Sequence, residues 1–181
     1  MMLNPNDKSS YVRMAKEVWE PRFISEIAPR YGLDARVNPD CMMDYLAPDL
    51  LVNGEQADLK WRGRPFFMAE DLYGIPSQYA ITLNTVKISR YMRIWPDMKI
   101  YAYLEWRGGQ TVIGDKRYTV RRKSELWVLS VRKIASLVWH APIHTYRART
   151  TGNATSSYVI NLLAGERLSR HGNDLHGNDR H

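Results

Sequence analysis

The chain carries one cysteine, Cys41, among its 181 residues. That excludes an internal disulfide and any metal site built from several thiolates. No apolar run approaches the length that crosses a bilayer as a helix, and the opening MMLNPNDKSS lacks the apolar stretch of a secretory signal. A reducing, cytoplasmic setting with no membrane partner is the expectation. Glycine-rich phosphate loops, zinc-binding spacings and the strained serine elbow of hydrolases are missing as well. No linker divides the chain, and the one repeat is the polar HGND of the last residues.

What is present is ordinary for a folded domain: 44% hydrophobic and 25% charged residues. The charge balance is less neutral, with a net +7 and a pI near 9.6. Basic proteins of this kind lean toward polyanions.

Residues 9–31 carry a helical pattern, with Ser9 or Ser10 as a cap, Pro21 as a kink or break after Glu20, and Gly32 as the stop. Residues 33–47 read as irregular. A hairpin follows over 49–62, then a strand at Pro65–Ala69 and a polar loop. Ile88, Tyr91, Met92 and Trp95 at i, i+3, i+4 and i+7 predict a helix that ends at Pro96. MKIYAYLEW, RYTVRR, ELWVLSV, HTYRAR and SSYVINL read as strands, with a short helix around Arg132–Trp139. Trp61, Trp95, Trp106, Trp127 and Trp139 are expected in the core. The order predicts one α/β domain over 1–166 with a central mixed sheet and a β-rich C-terminal part. Residues 167–181 read as a polar tail.

The hairpin PDLLVNGEQADLK concentrates the chemistry. Asn53-Gly54 favours a two-residue turn with positive φ at both positions. That turn fixes the register: Val52 with Glu55, Leu51 with Gln56, Leu50 with Ala57, and Asp49 with Asp58. Asp49, Asp58 and Lys60 then share one face, while Leu50, Val52, Ala57 and Leu59 share the other. Facing carboxylates repel, or one keeps its proton to unusually high pH. A hard divalent cation such as Mg²⁺, with Mn²⁺ as substitute, removes the conflict. Lys60 can then act on a water or steady a phosphate, an arrangement suited to phosphodiester hydrolysis.

Pro48-Asp49, eight residues and then Asp58-Leu59-Lys60 resemble the signature of the PD-(D/E)XK nuclease superfamily. An acidic helix before the hairpin and a basic helix and strand after it extend the likeness over roughly residues 9–106. The layout is similar to that of phage junction-resolving and homing-type endonucleases. The resemblance implies a restriction-endonuclease-like sheet, Mg²⁺-dependent cutting of DNA, Asp49 and Asp58 as metal ligands and Lys60 as the catalytic lysine. It also implies an acid from the first helix, with Glu20 the first choice, Glu17 the second and Glu26 a further candidate. A phage or mobile-element source fits that layout.

Pro39-Asp40 offers a second proline-aspartate pair, but CMMDYL after it is not a turn-defined strand. Basic residues for phosphate contact are Arg62, Arg64, Lys87, Arg90, Arg121 and Arg122, with Lys87 and Arg90 placed on the wet side of their helix. GDKRYTVRRK reads as a hairpin arm that lays arginines along a groove. His140 and His144 are separated by Pro142 and read as ordinary core or surface imidazoles. Cutting both strands needs two active sites, so a homodimer or higher assembly is expected. The competing reading is a basic nucleic-acid-binding protein that carries the motif without catalysis.

Overall fold

Two prolines shape the first helix. Pro21 and Pro29 have no amide proton to give. The turns before each of them, Ala15–Trp19 and Phe23–Ile27, widen to π spacing, while Glu20–Arg22 and Ala28–Arg30 keep α spacing. These turns form one helix, α1, and Gly32 with φ of 67° ends it. The computed structural model describes residues 15–44, 46–146 and 156–171; the expected start at Ser9 or Ser10 lies outside them.

After α1 come β1 (Ala35–Val37), a single turn at Pro39–Met42, β2 (Leu50–Val52), β3 (Glu55–Arg62), α2 (Ala69–Tyr73), β4 (Ala80–Asn84) and α3 (Thr85–Ile94). Then follow β5 (Lys99–Trp106), β6 (Gly109–Ile113), β7 (Lys116–Val120), β8 (Lys123–Ser130) and α4 (Val131–Val138). The remaining strands are β9 (Ile143–Thr145), β10 (Ser156–Asn161) and β11 (Glu166–Leu168), with a single helical turn at Leu162–Ala164 between the last two.

Six strands make the main sheet in the order β1-β2-β3-β5-β8-β11. Only β3 and β5 run parallel, and the crossover between them carries α2, β4 and α3, as a parallel pair requires. A three-stranded sheet, β4-β10-β9, and the β6-β7 ribbon complete the architecture. The chain is an α/β protein whose mixed sheet is flanked by helices and whose C-terminal half is dominated by strands. No helix among the described residues is long and apolar enough to cross a membrane.

The two faces of the main sheet bury different helices. Phe23 and Ile27 of α1 pack with Leu50, Val52, Ala57, Trp61, Tyr101, Tyr103 and Leu126. On the other face Ile88 and Tyr91 of α3 and Ile134 of α4 pack with Ile100, Ala102, Leu104, Trp127 and Leu129. Arg22 fastens α1 to β5 through two hydrogen bonds to Glu105, at 2.7 and 2.9 Å. It also lies over the Trp61 ring, which stacks on Trp19.

Several local expectations change. Residues 65–69 form no strand: Ala69 opens α2 instead, and the strand of this region is the buried β4. The stretch 33–47, read as irregular, contributes β1, an edge of the main sheet. Trp139 is not core but 85% exposed, since it lies past the last buried turn of α4. The sheet also extends beyond 166: Arg167 and Leu168 pair with Trp127 and Leu126. Arg170 donates to Ser124, and the His171 amide donates to the Arg30 carbonyl. Backbone pairing holds these residues where their polar composition suggested a tail; those from 172 on lie outside the described residues.

Candidate functional site

The hairpin turn forms as its sequence demands. Asn53 and Gly54 take φ of 52° and 80°, and the register pairs Leu50 with Ala57, Leu51 with Gln56 and Val52 with Glu55. Leu50, Val52 and Ala57 are buried against α1. Alternation therefore turns Asp58 and Lys60 to the opposite face, beside Ile100 and Ala102 of β5. Asn38 fixes the start of the hairpin. Its buried side chain donates to the Pro48 carbonyl at 2.9 Å, and its amide donates to the Asp49 carbonyl at 3.0 Å.

Helix α3 crosses above this face. Asn84 caps it by accepting the Lys87 amide at 2.9 Å. With Ile88 and Tyr91 buried in the core, Lys87 reaches down to the hairpin. Its Nζ lies 2.9 Å from Asp58 Oδ2 and 3.6 Å from Asp49 Oδ2. One turn along, the Tyr91 hydroxyl lies 3.4 Å from the same Asp58 oxygen. From α1, Lys16 Nζ pairs with Asp49 Oδ1 and lies 3.5 Å from Glu20 Oε2. Three carboxyl groups and two ammonium groups thus share one cluster.

The electrostatics follow from burial and from these partners. Burial alone would push the Asp49 carboxyl up, but Lys87 and then Lys16 hold it below its ordinary value. The carboxyl that is pushed up belongs to Glu20, through burial first and the Asp49 charge second. Of these two acids it is Glu20 on the helix, not Asp49 on the hairpin, whose charged form is disfavoured. Burial opposes the charge on Lys87, yet Asp58, Tyr91 and Asp49 together outweigh it and hold the ammonium well above its usual range. Lys60 moves the other way: burial, then the neighbouring Arg62 charge, lowers it to about 8.

The candidates divide clearly. Asp49, Asp58 and Glu20 come together, with Lys60 one pleat beyond Asp58. Glu17 is exposed on α1, and Glu26 pairs with Arg22 and Arg30. Asp40 is exposed in the Pro39–Met42 turn. Lys87, expected on the wet side of α3, turns inward onto the acids. Arg90 is half-buried over the Tyr91 ring, and its Nε has no hydrogen-bond partner among the described residues. Arg62 is half-buried, while Arg64, Arg121 and Arg122 are exposed. His140 is exposed beyond α4; His144 in β9 accepts from or donates to the Tyr73 hydroxyl at 2.8 Å, and burial lowers its pKa.

Sequence reading missed Lys16, Tyr91 and Asn38. Lys16 precedes Glu20 by four residues and Tyr91 follows Lys87 by four, spacings that share a helix face. Asn38 before Pro39 is a helix-start signal, and its hold on Pro48 had no mark in the sequence.

The β6-β7 ribbon has two unlike faces. Tyr118 packs on Phe67 at 5.0 Å between ring centroids, and Lys116 pairs with Asp71 at 2.7 Å. Alternation and register put Gln110, Val112, Arg117 and Thr119 together on the opposite face, with Arg121 and Arg122 following directly. The ribbon leaves the main sheet just past Trp106, at the end toward which the parallel β3 carries Lys60 and Arg62.

Among the described residues, no group of three or more His, Cys, Asp and Glu forms a metal cage. The donor chemistry of the hairpin pair still suits a hard cation. Both aspartates offer carboxylate oxygens only, and both lie within 3.6 Å of a single positive nitrogen. One point charge therefore serves both. No protein-family model, curated protein or solved structure matches the chain.

Proposed function

We propose that the chain is a Mg²⁺-dependent endonuclease that hydrolyses phosphodiester bonds in DNA, built in the manner of the PD-(D/E)XK nucleases. The observation that supports this most is the convergence of Asp49 and Asp58 on one cationic nitrogen, with Lys60 on the same sheet face. Asp49 and Asp58 would hold the metal, with Glu20 as the accessory acid behind Asp49. The bound cation would supply Lewis acidity at the phosphoryl oxygen and lower the pKa of its water. Lys60, lowered to about 8, is neutral in part of its population near physiological pH. It would take a proton from a water or, while charged, hold a phosphate oxygen. Arg64, Arg121, Arg122 and the outer face of the ribbon would neutralise DNA phosphates. Two copies would be needed to break both strands.

One observation favours a second reading. Lys87 and Lys16 already neutralise the acids, so the cluster stands as an ion-pair network without metal, as in a basic nucleic-acid-binding protein that does not cut. Plasmid and branched-DNA cleavage with Mg²⁺ or Mn²⁺ separates the two. The nuclease reading expects nicking or linearisation that D58A and K60A abolish while DNA binding survives. Binding without cleavage of any of these substrates, or cleavage that survives both substitutions, rejects it.

A further inference from the structure

We propose that Lys87 is a built-in counter-cation that occupies the position between Asp49 and Asp58 and must leave it when a divalent cation binds. The inference rests on the metal-dependent reading above and adds to it a competition within the site.

The geometry carries the argument. Lys87 Nζ is 2.9 Å from Asp58 Oδ2 and 3.6 Å from Asp49 Oδ2, so one ammonium bridges two carboxylates that would otherwise repel across the hairpin. Neither Lys16 nor Tyr91 bridges the two aspartates in its place. Lys16 is engaged from the far side, by Asp49 Oδ1 and Glu20. The Tyr91 hydroxyl reaches only Asp58. Lys60 lies one pleat further along β3, with Arg62 beyond it on the same face.

Lys87 is also built to move. Its side chain is 37% exposed, and its flexible four-carbon stem lets the amine swing into solvent. The backbone need not follow, because Ile88 and Tyr91 are buried and Asn84 holds the first turn. An acid pair on one rigid hairpin cannot relieve its repulsion by separating. A tethered ammonium keeps it folded until metal arrives, and in exchange lowers metal affinity.

The test is a Mn²⁺ and Mg²⁺ titration of the full chain, read by thermal unfolding and by calorimetry, for wild type, K87M and K87R. Without metal, K87M should melt at lower temperature than wild type. Its metal-induced stabilisation should appear at concentrations at least tenfold lower, while K87R stays close to wild type. D58N in the K87M background should remove the response. Equal metal affinity in wild type and K87M overturns the inference while leaving the nuclease reading intact. No metal response in either protein overturns both. Should K87M fail to fold, wild-type lysine ammonium NMR decides: the Lys87 signal should lose its carboxylate-bound shift on Mg²⁺ addition, and an unchanged signal at saturating Mg²⁺ overturns the inference.

Discussion

Lys60 lies opposite Ala102 in the parallel β3-β5 ladder, so a lysine and a fully buried alanine share one face of the sheet. Burial and the Arg62 charge lower this lysine from its ordinary 10.5 to about 8. If the neutral amine is the working form, DNA cleavage at saturating Mg²⁺ should rise with pH and level off above about 8. K60R, whose guanidinium stays charged, should lose that rise and about 10²-fold or more of the rate. A wild-type profile that is flat between pH 7 and 9 would remove Lys60 as a base.

The same burial makes Lys60 a cost to the fold. Its folded-state pKa lies below its unfolded one, so on raising the pH the native chain sheds this proton first. Between about 8 and 10.5 the unfolded state binds more protons, and this residue's contribution makes stability rise with pH. Below about 8 both states are charged and the penalty is fully present. K60M should therefore stabilise the protein at pH 7 by about 1–2 kcal/mol, as removal of a buried charge often does. Urea unfolding at pH 7 and pH 10 checks it; the gain should shrink at the higher pH.

Gly54 has a φ of 80°, and a Cβ there would meet no heavy atom within 4 Å. G54A thus tests backbone conformation without a clash. A loss of about 1 kcal/mol in urea unfolding is expected from the left-handed geometry alone. Because that turn sets the register up to Leu50 and Ala57, the residues next to Asp49 and Asp58, G54A should also weaken the metal response; an undisturbed response would show that the register survives without the glycine.

On the β6-β7 ribbon, R117E together with R121E should reduce affinity for duplex DNA more than tenfold at low salt. It should flatten the salt dependence by about two phosphate contacts and leave the melting temperature unchanged. Y118A, by contrast, removes the anchor on Phe67 and should lower the melting temperature as well as affinity. Unchanged binding by the double charge reversal would exclude the ribbon from the DNA path.

The hairpin was legible because Asn-Gly is a local signal strong enough to fix a register, and register decides which side chains meet. Pro21 similarly marked where Glu20 turns inward. Lys87 was not legible: periodicity separates the buried from the wet side of α3, but a lysine at the border is drawn in by acids that arrive from another element. Strand β4 was hidden because Asn84 ends it and caps α3 at once, leaving no loop between the two patterns. Trp139 shows the limit of counting apolar neighbours, since α4 runs out before its last large side chain finds a surface to cover.

The main sheet is bordered by β1 at one margin and β11 at the other, each only three residues long. So little unpaired backbone at the margins of the main sheet offers a poor template for strand addition, which guards this sheet against edge-to-edge aggregation. It also constrains how two copies could cooperate on a duplex. Extension of the main sheet from one copy into another is disfavoured, so under the nuclease reading a dimer able to sever both strands would be joined elsewhere on the chain.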